Sequence, residues 1–135
     1  MFSATGRILP AAAMIATAQL ALAQGPAGNP PAADDGQLAF NNACRTCHTL
    51  REGDNRLGPN LYKVVGRKVG SLPGYAYSSA MQGADMIWDK AALDRFIANP
   101  DQTLPGHNMK PYGGIASPEE RARIIAYLET SGAGN

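Results

Sequence analysis

Three observations in the sequence predict a small all-α domain with long Pro/Gly-rich loops. Segments starting near Asp34, Asp89 and Ser117 each pair a helix-capping residue with an apolar stripe. The connections between them hold much of the chain's 15 Gly and 10 Pro, many for a small helical protein. Both cysteines stand in one pentapeptide, Cys44-Arg45-Thr46-Cys47-His48. Cys-x-x-Cys-His is the attachment signature of c-type haem. The prediction is therefore of helices wrapped around one covalent haem, whose porphyrin supplies apolar surface that the side chains do not.

The spacing of the pentapeptide has a chemical reason. Two intervening residues let one helical turn present the Cys44 and Cys47 thiols to one porphyrin edge, where they add across the vinyl groups. His48 follows at once and is aimed at the iron as proximal ligand. Competing readings need other surroundings. A redox Cys-x-x-Cys needs no following histidine and prefers a βαβ context. A zinc site needs about four ligands, and the whole chain offers 2 Cys and 2 His. A structural disulfide across two intervening residues is strained.

At 135 residues the chain is one domain, long enough for a modest core. Lys plus Arg number 12 against 11 Asp plus Glu, so no basic stripe supports nucleic-acid binding. Residues 1–23 read as a secretory signal: Arg7 precedes an apolar run from Ile8 to Ala23, and Ala21-Leu22-Ala23 fits the small-x-small cleavage rule. The run contains Pro10 and Gln19 and falls short of the roughly 20 apolar residues that span a bilayer, which places an uncleaved anchor second. Residues 24–34 form a Pro/Ala/Gly-rich flexible leader.

The first helix is expected from Asp34 or Asp35, either of which can cap it, and carries Leu38, Phe40 and Ala43 into the Cys-containing motif. Gly36, Phe40, Cys44, Cys47 and His48 together resemble the start of class I cytochrome c, the family of mitochondrial cytochrome c and bacterial cytochrome c2. A glycine inside a helix costs about 1 kcal/mol against alanine. The resemblance supplies a reason, since in that family the glycine and aromatic lie where the first and last helices cross. It covers residues 35–132.

The resemblance extends through the loops. In Gly58-Pro59-Asn60-Leu61 it implies that the Pro59 carbonyl accepts from the far ring nitrogen of His48, fixing the tautomer. A simple turn is the plainer reading of those four residues. Gly66-Arg67-Lys68-Val69-Gly70 and Pro73-Gly74-Tyr75-Ala76-Tyr77-Ser78 match the loop that wraps the bottom of the haem. Arg67, Tyr75, Tyr77 and Trp88 would then surround the propionates, which need donors or countercharge in a low-dielectric pocket. Leu104-Pro105-Gly106-His107-Asn108-Met109 resembles the distal loop, and makes Met109 the sixth ligand. A thioether is soft and raises the potential. His107 is the rival ligand, but matches a position usually held by Thr.

The helix from Asp89 should present Leu93, Phe96 and Ile97 to the porphyrin and stop at Pro100. The last helix opens on a capping box, Ser117-Pro118-Glu119-Glu120, buries Ile124, Ile125, Tyr127 and Leu128, and closes at Gly132. Three positions depart from the family. Phe96 replaces a tyrosine that bonds the methionine sulfur, Met81 replaces a haem-pocket Asn, and Asp101, Gln102 and Asn108 replace frequent lysines.

The resemblance implies a soluble, monomeric, periplasmic carrier with one haem c. It would pass single electrons from a cytochrome bc1-type donor to an oxidase or reaction-centre acceptor. It would not be an enzyme and would bind no small-molecule substrate. The alternative is a dedicated cytochrome subunit or electron acceptor of one dehydrogenase or oxidase.

Overall fold

A computed structural model describes residues 1–2 and 33–131. The expected signal beyond its first two residues, all but the last two residues of the leader, and Gly132 lie outside the described residues. Five helices follow in order: α1 (Ala33–Ala43), α2 (Ser79–Gln82), α3 (Lys90–Ala98), α4 (Pro100–Thr103) and α5 (Pro118–Thr130). Among the described residues, β-structure is limited to one isolated antiparallel bridge between Lys68 and Ile87.

Helix α1 starts earlier than the aspartate-cap reading predicts. Asp34 and Asp35 lie within its first turn, where negative charge complements the positive end of the helix dipole. Phe40 is buried on its inner face, whereas Leu38 points outward and is 60% exposed. The chain keeps turning past Ala43: Cys44 N–H donates to Phe40 O at 2.8 Å, and His48 N–H to Cys44 O at 3.0 Å. The helix thus delivers the Cys-x-x-Cys-His turn.

Helix α5 crosses α1 at Gly36. A Cβ on Gly36 would lie 2.7 Å from the Arg123 carbonyl oxygen and 2.9 Å from Tyr127 Cβ, so only glycine allows this approach. Phe40 and Tyr127 meet beside it with ring centroids 5.7 Å apart. Ser117 caps α5 by accepting from Glu120 N–H at 3.2 Å. The return half of the expected capping box is different: the Ser117 hydroxyl donates to the neighbouring Glu119 carboxylate at 3.0 Å.

Asp89 caps α3, accepting from Ala92 N–H at 2.7 Å, and Leu93, Phe96 and Ile97 are buried. Pro100 ends α3 and at the same time opens α4, where its missing N–H is one that has no intrahelical partner anyway. Arg121 clamps α5 to α3, its Nε donating to Asp94 Oδ1 at 2.7 Å and its Nη1 to the Ile115 and Ala116 carbonyls. Between the motif and α3 the loop folds back on itself. Gly66 N–H donates to Trp88 O, Trp88 N–H to Arg67 O, and Val69 N–H to Met86 O, at 2.8–2.9 Å. Helix α2 sits inside this loop, and buries Met81.

Candidate functional site

Cys44 and Cys47 are both free thiols on the turn after α1. Burial, then the neighbouring Cys47 and Glu120, push the Cys44 thiol up to about 11. Among the described residues, no three His, Cys, Asp or Glu side chains converge as a metal cluster.

His48 is buried, and its Nδ1 lies 2.7 Å from the Pro59 carbonyl oxygen. A carbonyl only accepts, so Nδ1 carries a proton, and in the neutral ring the lone pair is on Nε2. Burial lowers the His48 pKa; the Pro59 bond opposes this, and Arg67 adds to it. Gly58 lies flat on the ring, for a Cβ there would fall 2.7 Å from Nδ1 and 2.9 Å from Nε2. Gly58 is itself fixed by donating to the Cys47 carbonyl at 2.8 Å.

The residues expected beside the propionates lie on the returning loop. Arg67 is half-buried and donates to two backbone carbonyls, Tyr62 O at 3.2 Å and Asn60 O at 3.0 Å. Burial lowers its pKa. The Tyr75 hydroxyl donates to Leu57 O at 2.9 Å, and its ring meets Tyr77 edge-on at 4.9 Å. Burial raises the Tyr77 pKa, with Arg67 pulling it back. Trp88 is buried and packs on Phe96, with centroids 4.9 Å apart.

Met109 is partly buried on the loop after α4. Its backbone N–H donates to His107 Nδ1 at 2.9 Å. His107 Nε2 lies 3.1 Å from Asp101 Oδ1, and Asp101 also pairs with Lys110. Farther along, the Tyr112 hydroxyl donates to the Ile97 carbonyl at 2.7 Å, pinning the loop to the end of α3. A separate surface pocket of about 450 Å³ opens beside α1 and the motif, with Arg45, Arg51 and Arg56 on its wall. Of the two expected ligands only His48 lines that pocket.

The family model for cytochrome c matches residues 33–132. The chain belongs to the cytochrome c family. It is 43% identical to cytochrome c2 iso-1 of Magnetospirillum molischianum, over 73% of this chain and 98% of the relative. It is 43% identical to cytochrome c2 of Rhodopila globiformis, over 76% of this chain and 98% of that one. Among solved structures, cytochrome cH from Methylobacterium extorquens matches with a TM-score of 0.67 and 39% identity, covering 73% of this chain and 97% of that chain.

As a class I cytochrome c, the protein carries one covalent haem c with His48 and Met109 as axial ligands. The residues fit the group: two free thiols on one turn, a buried imidazole whose Nδ1 is engaged by Pro59, and a methionine partly buried on the loop after α4. His107, the rival ligand, has both ring nitrogens engaged elsewhere. The sequence reading missed that arrangement, and also Asn55, whose Oδ1 accepts from both Asn60 N–H and Nδ2 at 2.9 Å beneath the Pro59 turn. An Asn five residues before another gives no local signal of such a bond.

Proposed function

We propose that this cytochrome is an exported, soluble, monomeric carrier that takes one electron from a membrane redox complex and gives it to another. The donor would be of cytochrome bc1 type, and the acceptor an oxidase or a photosynthetic reaction centre. What supports this reading is that the two residues that would hold the iron are each fixed by the protein, His48 by Pro59 and Met109 by His107, which would leave no open position for a substrate. The haem supplies the ferric/ferrous couple. The chain supplies stable ligands and a dry surround from Trp88, Phe96 and the buried aliphatics, while Arg67, Tyr77 and Trp88 would face the propionates; the Tyr75 hydroxyl is already donated to Leu57 O. Export rests on the signal pattern of residues 1–23. No helix among the described residues is long and apolar enough to cross a membrane.

A second reading is a dedicated partner of one dehydrogenase or oxidase, which a large exposed apolar patch or tight co-purification would favour. The deciding experiment is a redox titration of purified holoprotein together with exposure of the reduced form to carbon monoxide. A single one-electron transition and no carbon monoxide complex at neutral pH support the carrier. A carbon monoxide complex would refute it. Tight co-purification with one oxidoreductase would replace the general carrier with the dedicated partner.

A further inference from the structure

The distal loop contains a histidine with both ring nitrogens in use. A backbone N–H can only donate, so the 2.9 Å contact from Met109 N fixes a lone pair on His107 Nδ1. The ring proton is then on Nε2, donated to Asp101 Oδ1 at 3.1 Å. The side chain is fully shielded from solvent and stands edge-on to Phe96, with centroids 5.5 Å apart and planes at 79°. Asp101 belongs to α4, which Asn99 caps by accepting from Gln102 N–H. A continuous chain of bonds therefore runs from a capped helix, through an imidazole, to the backbone of Met109. On the chain itself the ligand follows Gly106, whose φ of +86° needs glycine and gives little restraint to the loop.

We propose that His107 is a positioning residue for the sixth ligand. It holds the Met109 backbone in place, and so sets how readily the thioether yields the iron to a competing ligand. The proposal rests on Met109 ligation and deepens it. A loop methionine leaves and returns by movement of its own backbone. An acceptor locked between Phe96 and Asp101 opposes that movement.

Imidazole titration of the ferric holoprotein tests this, followed through the weak far-red band of thioether-ligated ferric haem. His107→Leu removes both bonds. His107→Asn keeps an oxygen close to the place of Nδ1, able to accept an N–H two residues on as in an Asx turn, but cannot reach Asp101. His107→Gln reaches towards Asp101 but puts no acceptor at the Nδ1 place. Imidazole affinity should rise about tenfold in His107→Leu, the factor given by about 1.4 kcal/mol of lost hydrogen bonding. It should rise as much in His107→Gln and stay within about twofold of the parent in His107→Asn. If His107→Leu fails to hold haem, the contrast between Asn and Gln decides alone. Equal behaviour of those two variants, or unchanged affinity in His107→Leu, overturns the proposal. Absence of the far-red band in the parent protein would instead strike down Met109 ligation itself.

Discussion

Gly58→Ala should loosen the proximal ligand, and its effect can be worked out from the contacts. Gly58 is outside the left-handed region, so alanine is allowed by the backbone. Taken alone, that change stabilises by about 0.4–1 kcal/mol through the unfolded chain. The His48 ring reverses the sign. A Cβ would collide with the ring's Cε1 and lie 2.7 Å from Nδ1, where ordinary contact begins at 3.4 Å, so the two must separate by more than about 0.7 Å. The ring is held at 2.7 Å by the Pro59 carbonyl. The glycine is held by its N–H on Cys47 O at 2.8 Å and by Arg56 N–H on its carbonyl at 3.0 Å. Overpacking of this kind costs about 1–3 kcal/mol, and losing the Pro59 bond about 0.5–1.5 kcal/mol more. The net expectation is a loss of about 1–4 kcal/mol in guanidinium unfolding of the holoprotein. The midpoint potential should also rise, because a weaker Nδ1 bond makes His48 a poorer donor to ferric iron. Gly113→Ala is the control: no positive φ and nothing within 4 Å of its Cβ, so it should gain about 0.4–1 kcal/mol. A Gly58→Ala protein as stable as the parent, with the same potential, would refute the ring contact.

Three further outcomes follow from the same geometry. Without added imidazole, Met109→Ala should abolish the far-red ferric band while His107→Ala keeps it; the opposite pattern would mean bis-histidine ligation. Phe96→Tyr should shift the midpoint potential by about 20–65 mV, which is a hydrogen bond of about 0.5–1.5 kcal/mol converted for one electron; equal potentials would show that Phe96 only packs on Trp88 and His107. The electron-transfer rate with the native partner should depend weakly on salt, because Lys110 of the distal loop is paired with Asp101, and Lys68 with Asp85. A steep fall in stopped-flow rate from low salt to about 0.3 M, where the Debye length is well under 10 Å, would point instead to a patch of Arg51, Arg56 and Lys63.

The features legible in the sequence are those whose chemistry is short-range. Cys44, Cys47 and His48 read as a unit because haem attachment dictates their spacing. Asp89 and Ser117 read as caps because a cap acts within three residues, and both do so here. Gly36 was readable only through the family's helix crossing; the contact with the Arg123 carbonyl supplies the physical reason. Helices α2 and α4 were not legible. Each is one turn long, has no period to detect, and starts where Ser78 or Pro100 reads equally well as loop. Arg67 was placed on the haem side by resemblance; its bonds to the Asn60 and Tyr62 carbonyls depend on how a Gly-rich loop closes, which no local pattern encodes.

The two axial ligands illustrate the same division and give it a functional meaning. Each is held by one hydrogen bond just outside the iron site, but the bonds act on different things. At His48 the ring itself is the donor, eleven residues from its acceptor, so the bond changes the electron density that the ligating nitrogen offers. At Met109 the donor is the backbone, two residues from the His107 ring, and the sulfur takes no part in it. That bond cannot alter the thioether's basicity; it can only restrict where the loop carries it. Perturbing Gly58 or Pro59 should therefore appear first in the potential. Perturbing His107 or Asp101 should appear first in ligand exchange, with the potential little changed. The proximal bond was reached through the family resemblance at Gly58-Pro59, whereas the distal one joins Asp101, His107 and Met109 only once α4 and its loop have formed. A chain in this family can thus change its distal lability by altering residues that no haem signature contains.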